Sequence, residues 1–94
     1  MARATWNGVT LAESDSVKVV EGNLYFPPDS VNWEALAATD EHSRCYWKGK
    51  ADYFDVVSGD TTNASAAWTY PKPWPLARNI EGHVAFWKGV TVAP

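Results

Sequence analysis

The chain has 94 residues, which suffice for one hydrophobic core but not for a cleft between two domains, so we expect residues 1–94 to form a single domain. The formal net charge is −3 and the charged residues are dispersed, which excludes the continuous basic surface that duplex nucleic acid requires. The single cysteine excludes an internal disulfide, and no apolar segment at the N-terminus suits a signal peptide or a membrane span. These features predict a soluble cytoplasmic protein without nucleic-acid or membrane partners.

Three of the six tryptophans lie in the same local frame, Trp6-Asn7-Gly8, Trp47-Lys48-Gly49 and Trp87-Lys88-Gly89. The first and last frames also continue alike, with Val-Thr-Leu-Ala after Gly8 and Val-Thr-Val-Ala after Gly89. This pattern predicts a strand, a turn and a second strand near each end of the chain. The nearly regular spacing of the frames leaves a propeller or solenoid repeat as an alternative.

The first half of the chain predicts a hairpin followed by a second β segment. Asn7-Gly8 is the dipeptide that best accepts the positive φ angles of a tight hairpin, so it should join Ala4–Trp6 to Val9–Leu11. The β-rich runs Val17–Glu21 and Asn23–Phe26 flank Gly22 and end at two prolines, so they form either a strand pair or one bulged strand.

A short helix is predicted next. Asp29 or Ser30 is a suitable N-cap, the acidic residues favour the helix start, and Val31 and Leu36 fit one helical face. We expect this helix to continue through Leu36.

The second half predicts four further strands and one helical turn. The turn Lys48-Gly49 separates the first two strands, Ser58–Asp60 ends the second, and three prolines end the third. The predicted strands are Arg44–Trp47, Lys50–Val57, Ala66–Tyr70 and a last strand at His83–Trp87, with a helical turn at Leu76–Ile80.

Four segments carry a resemblance to a known family. They are Glu21–Pro27 (EGNLYFP), His42–Tyr53 (HSRCYWKGKADY), Ala66–Pro71 (AAWTYP) and Ile80–Trp87 (IEGHVAFW). In this order they closely resemble the domain of unknown function 427 family, and the resemblance covers nearly the whole chain.

The resemblance implies an all-β, mainly antiparallel domain with one short helix, in which two sheets meet at an angle in the arrangement called a β-tent. Zinc-pinned members of that wider architecture hold the sheets together with paired Cys-x-x-Cys motifs. Because this chain has one cysteine, we expect packed aromatic rings to take that role. Some members of the family carry a nucleotidyltransferase label.

The residues give little support to nucleotidyl transfer. That reaction needs carboxylates that share magnesium ions, and Asp52 and Asp55 should point to opposite faces of a strand. Gly49-Lys50 lacks the preceding glycine of a phosphate-binding loop.

Cys45 and Lys48 are the candidate catalytic residues. Arg44, Lys48 and His42 near Cys45 would favour a thiolate nucleophile, whereas a lone cysteine in a strand is more commonly an inert, buried residue. His42 and His83 lack the spacing of metal ligands, so we expect neither a metal nor a cofactor.

Strand alternation predicts an aromatic pocket. It places Glu21, Asn23 and Tyr25 on one face, Ala51 and Tyr53 on another, and likewise Trp68 with Tyr70 and His83 with Ala85 and Trp87. If these faces converge, the rings form a concave surface that suits a small planar or cationic molecule. The predicted ligand-binding residues are Glu21, Tyr25, Lys48, Tyr53, Trp68, Tyr70 and His83.

Three hypotheses for the function follow. The first is a domain that binds a small ligand in this aromatic pocket. The second is a small enzyme built around Cys45 and Lys48. The third is a protein-interaction domain that uses its aromatic surface or a sheet edge to form a homodimer or to bind another partner.

Overall fold

The computed structural model describes residues 1–94, which form nine strands and three short 3₁₀ segments. The strands are β1 Ala2–Trp6, β2 Val9–Ser14, β3 Lys18–Val20, β4 Asn23–Tyr25, β5 Leu36–Cys45, β6 Gly49–Ser58, β7 Thr61–Thr69, β8 Val84–Phe86 and β9 Thr91–Ala93. The 3₁₀ segments are Pro28–Ser30, Trp33–Ala35 and Pro75–Ile80.

The predicted N-terminal hairpin is confirmed. Asn7 and Gly8 have φ angles of 50° and 80°, and strands β1 and β2 pair in antiparallel fashion on either side of them. Positive φ at both turn residues matches the right-handed twist of the flanking strands, which explains the Asn-Gly sequence.

The matching C-terminal frame forms a turn of the same kind but not a hairpin. Lys88 and Gly89 have φ angles of 53° and 92°, yet β9 pairs with β1 and not with β8. The pairing gives a three-stranded sheet in the order β2-β1-β9. Val92 of β9 packs against the core, so tertiary packing and not the turn decides the partner of this strand.

The predicted helix from Asp29 or Ser30 through Leu36 is wrong. The segment consists of two separate 3₁₀ turns, and Leu36 is already the first residue of β5. Between the turns, Val31 is extended and forms a bridge with Ala12 of β2. Pairing with β2 therefore interrupts the helical backbone after a single turn.

Strand β5 is much longer than the predicted strand Arg44–Trp47. It begins at Leu36 and ends at Cys45, and it forms one edge of a four-stranded sheet in the order β5-β6-β7-β8. Most of its side chains are exposed, so its sequence lacks the alternation of a half-buried strand.

The four-stranded sheet has two buried faces. Cross-strand pairing from β6 through β7 to β8 aligns Phe54, Ala67 and Phe86 in one row and Tyr53, Trp68 and Ala85 in the next. The first row belongs to a core cluster shared with the β2-β1-β9 sheet, including Leu11 and Phe26. The second row belongs to a separate cluster with Tyr25, Tyr70, Ala77 and Ile80.

Two bulges interrupt the pairing of β6 with its neighbours. Residues 39–41 of β5 lie opposite Tyr53 alone, and residues 64–66 of β7 lie opposite Asp55 alone. At the second bulge Ser65 adopts a φ of 54°, and its backbone N–H donates to Asp55 Oδ1 over 2.8 Å. Bulges of this kind bend a strand locally and increase its twist.

The all-β, mainly antiparallel class is confirmed, with the strands distributed over three sheets. The third is the two-stranded β3-β4 ribbon, whose turn at Glu21-Gly22 has φ angles of 53° and 79°. No helix is long and apolar enough to cross a membrane.

Candidate functional site

An aromatic pocket of about 230 Å³ opens beside the second core cluster. Strands β4, β6 and β7 contribute to its wall, together with the β5-β6 turn and the segments that follow β7 and β8. Its lining residues are Asn23, Tyr25, Lys48, Tyr53, Trp68, Tyr70 and Trp87.

Four of the rings form a continuous row. The ring of Tyr25 meets the edge of Trp68 at 6.1 Å, and Trp68 meets Trp87 at 5.6 Å, both close to perpendicular. The ring of Tyr53 lies 6.3 Å from that of Trp87, at an angle of 36°. These distances and angles are those of attractive aromatic pairs, so the rings support one another.

Hydrogen bonds fix both indole rings of the row. Trp68 Nε1 donates to the Tyr25 hydroxyl over 3.2 Å, and Trp87 Nε1 donates to the Ser65 carbonyl over 2.6 Å. The left-handed backbone of Ser65, held by Asp55, lies at the bulge that presents this carbonyl. The β7 bulge therefore orients a ring of the pocket.

Burial distinguishes the floor of the pocket from its rim. Tyr25, Trp68 and Tyr70 are buried, Tyr53 is half-buried, and Trp87 is 44% exposed. The Tyr53 hydroxyl shares a 2.9 Å hydrogen bond with the Ser43 hydroxyl of β5, which holds its ring at the rim. Trp87 is the lining ring most accessible to a ligand arriving from solvent.

Lys48 brings a charge into this aromatic environment. It lies in the turn between β5 and β6, is only 5% exposed, and forms an ion pair with Glu21 on the β3-β4 turn. Its Nζ lies 5.4 Å from the ring centres of both Trp47 and Tyr70. The Lys48 carbonyl accepts a 3.0 Å bond from the Trp74 N–H, which anchors the turn.

The ion pair favours the charged forms of both partners. The hydrogen bond from Lys48 lowers the pKa of Glu21 below its usual value. Burial alone would lower the pKa of Lys48, but the hydrogen bond to Glu21 and the negative charge that neighbouring acidic groups carry when ionised raise it on balance. Lys48 is therefore an ammonium ion at neutral pH.

The buried tyrosines stay neutral. Burial is the main cause that raises the pKa of both Tyr25 and Tyr70 above the ordinary value for tyrosine, although the Lys48 charge acts in the opposite direction. Both hydroxyls therefore keep their protons at neutral pH. Since the Tyr25 oxygen already accepts from Trp68, its proton remains available for donation.

The structure brings five of the seven predicted ligand-binding residues into the pocket lining. Glu21 lies outside the lining and contacts it through Lys48. His83 does not line the pocket: it precedes β8, which begins at Val84, and its ring pairs with the Glu81 carbonyl at 3.0 Å. The five are Tyr25, Lys48, Tyr53, Trp68 and Tyr70.

Two lining residues are missing from the predicted set, namely Asn23 and Trp87. The alternation that placed Asn23 with Tyr25, and Trp87 with Ala85, was sufficient to find them. Alternation could not supply the start of β8 at Val84, which leaves His83 outside the strand and outside the pocket lining.

The two candidate catalytic residues, Cys45 and Lys48, do not form a pair of nucleophile and unprotonated base. Cys45 is partly buried at the end of β5, packs against the second core cluster, and does not line the pocket. Lys48 is occupied by Glu21.

Other polar candidates are likewise engaged. His42 Nδ1 lies 2.7 Å from Asp52 Oδ1, whereas Asp55 holds the Ser65 bulge. No group of three or more histidine, cysteine or acidic side chains is arranged to hold a metal ion.

Comparison with known proteins places the whole domain in a family. A search of curated proteins gave no match. The sequence model described as Domain of unknown function (DUF427) matches residues 1–93, which is nearly the full chain. The expected resemblance is thus confirmed: the chain belongs to the DUF427 family.

Proposed function

We propose that this protein binds a small planar molecule in the aromatic pocket. The observation that carries the proposal is the row of four rings, which lines an open volume and does not fill it. Rings that served only as core would be expected to pack to the density of a protein interior and to leave no such space.

The dimensions of the pocket limit the ligand. A volume of about 230 Å³ is smaller than that of most drug-sized sites, which begin at about 300 Å³. Engineered cavities of about 150 Å³ hold benzene in another protein. One ring or two fused rings therefore match the available space.

Stacking would supply much of the binding free energy. Each contact between a ligand ring and an aromatic side chain contributes about 0.5–1.5 kcal/mol beyond burial of the surface. Because hydrogen bonds hold Trp68 and Trp87 in place, little side-chain entropy would be lost on binding. An organic cation, the other ligand class that aromatic faces attract, would use the same surfaces.

An enzyme built around Cys45 and Lys48 remains the alternative, with weaker support. An amine nucleophile must lose its proton, and the raised pKa of Lys48 opposes that step. Cys45 packs against the second core cluster but does not line the pocket, so its thiol is not placed to meet a ligand there.

A protein-interaction role has its own supporting observation. Strand β5 is a ten-residue edge strand with mostly exposed side chains, and Tyr46 just beyond it is 91% exposed. Charged residues such as Asp40 and Glu41 on this strand oppose pairing of one edge with another. Sedimentation at increasing concentration would reveal self-association.

Replacement of Trp87 tests the pocket. We expect a fragment library rich in planar rings to yield binders of the native protein in ligand-detected NMR, and Trp87→Ala to abolish or strongly weaken their binding. Since Trp87 is 44% exposed, the variant should stay folded.

Trp33 provides a matched control. It is 43% exposed, and its Nε1 also donates to a backbone carbonyl, that of Pro28, but it lies outside the pocket. Trp33→Ala should therefore retain binding. Equal loss of binding in both variants, or a library without any planar binder, would refute the proposed function.

A further inference from the structure

We propose that the pocket selects planar ligands that carry a carboxylate, and that Lys48 is the residue that binds this carboxylate. The inference rests on the proposed function and adds the charge of the ligand to it. The ion pair that borders the pocket is asymmetric.

The two charges of the pair occupy different environments. Lys48 lines the pocket and its side chain is only 6% exposed, whereas the side chain of Glu21 is 52% exposed and does not line the pocket. A ligand in the pocket would therefore meet the ammonium directly and the Glu21 carboxylate only beyond it. No other lining residue carries a charge, since the rest are asparagine, tyrosine and tryptophan.

The uncharged polar groups of the lining match the same ligand. An ammonium ion has three N–H donors, of which Glu21 takes one. The hydroxyls of Tyr25 and Tyr70 remain protonated and the Asn23 amide adds two N–H donors, so the lining is rich in donors. A ligand group with several hydrogen-bond acceptors can accept hydrogen bonds from these donors, whereas a cationic group would be repelled by the Lys48 ammonium.

Glu21 is placed to yield to an incoming carboxylate. It lies in a two-residue turn, and the polar partners of its carboxylate are Lys48 and, over 3.4 Å, Trp47 Nε1. Water can solvate the displaced Glu21 side chain because half of it is already exposed. The ligand would thus share or replace an existing anionic partner of Lys48, so the buried ammonium would never lose its counter-charge.

Probes with one ring and three different end groups test the inference. Indole-3-acetate, indole-3-acetamide and tryptamine share the indole ring, and phenylacetate, phenylacetamide and phenethylamine repeat the series with a smaller ring. Dissociation constants at pH 7 from titrations followed by ¹⁵N-HSQC NMR should rank acid before amide before amine. We expect the acid to bind about tenfold more tightly than the amide, the usual advantage of a charged over a neutral hydrogen-bond acceptor.

Two variants assign this preference to the ion pair. Lys48→Met should remove the advantage of the acid, so that acid and amide bind with affinities within about twofold of each other, while Lys50→Met, at an exposed lysine on β6, should leave the acid-to-amide ratio of the native protein unchanged. Glu21→Gln should strengthen binding of the acid several-fold, because it removes the competing carboxylate. A purely structural role for Glu21 predicts the opposite sign.

The possible results distinguish the preference for a carboxylate from planar ligand binding itself. Preferential binding of the amines, or an acid-to-amide ratio unchanged in Glu21→Gln, overturns the carboxylate inference and leaves planar ligand binding intact. Absence of binding for all six probes overturns both. If Lys48→Met does not fold, the ranking with the native protein and the effect of Glu21→Gln decide the question.

Discussion

The ammonium of Lys48 lies among the rings of the pocket, while its partner Glu21 reaches into solvent. An exposed ion pair contributes little to stability because water and salt screen it, whereas a buried lysine without a partner is costly. The main contribution of Glu21 to stability is therefore that it provides a partner for the buried Lys48 ammonium, and the attraction within the pair contributes less.

The titration of Glu21 gives a test of this relation. Its pKa is lowered from 4.5 in the folded protein, so its contribution to stability is complete above pH 4.5 and is lost as the pH falls through the folded value. We expect Glu21→Gln to be less stable than the native protein at pH 7, and the two urea midpoints to converge well below pH 4.5.

At alkaline pH the stability of the protein depends on Lys48, and the dependence has the opposite sign. The pKa of Lys48 is raised in the folded protein, so its contribution to stability is complete below pH 10.5 and is lost only as the pH rises through the higher folded value.

Glu34→Gln, at an exposed acid outside any ion pair, is the control for Glu21→Gln and should have the same urea midpoint as the native protein at every pH. A difference between native protein and Glu21→Gln that does not diminish as the pH falls below 4.5 would contradict the interpretation.

At the scale of elements, two tight turns with the same backbone conformation position different parts of the molecule. Gly8 completes the turn of the first hairpin, and Gly22 completes the turn that carries Glu21. A Cβ at either glycine would meet no atom within 4 Å, so a substitution there changes only the backbone energy.

We expect Gly8→Ala and Gly22→Ala each to lower the free energy of unfolding by about 1–2 kcal/mol, the cost of a left-handed conformation for a residue with a Cβ. Asn7→Gly, at a neighbouring position with φ of 50°, should change it by less than about 0.5 kcal/mol. Urea denaturation measures all three. A neutral Gly22→Ala variant would mean that the turn can adopt another conformation.

Sequence patterns predicted those elements whose cause is local. Asn7-Gly8 fixed the first hairpin because the dipeptide itself prefers the turn, and alternation fixed the faces of Tyr53 and Trp68 because side chains in a strand alternate. The same alternation assembled most of the pocket lining.

Where the cause is distant, the type, the length or the partner of an element was predicted wrongly. Strand β5 forms because its backbone pairs with the edge of β6. The polar, exposed sequence of β5 does not indicate that partner. The acidic and apolar residues of segment 29–36 are compatible with a helix. Only the bridge between Val31 and Ala12 shows that the segment is interrupted by extended backbone. Likewise, β9 follows a hairpin-like turn and pairs with β1 across the chain.

At the scale of the whole molecule, one sheet serves two cores. Phe54 and Ala67 face the cluster around Phe26, while their neighbours Tyr53 and Trp68 face the cluster that contains Ile80 and the pocket. Because β6 and β7 contribute to both clusters, neither can melt without disturbing the backbone of the other. The pocket is therefore built on strands that the opposite core also stabilises.

This arrangement predicts a single cooperative unfolding transition. Phe26→Ala in the first core should cost about 3–5 kcal/mol, and Ile80→Ala in the second about 2–5 kcal/mol, since both side chains are completely buried. In each variant, tryptophan fluorescence and far-ultraviolet circular dichroism should report the same shifted midpoint. Leu76→Ala, at a residue 83% exposed in the 3₁₀ segment beside Ile80, should change the free energy of unfolding by no more than about 0.5 kcal/mol. Two separate transitions in Ile80→Ala, with the first core still folded while the pocket side has melted, would show that the shared sheet does not couple the cores.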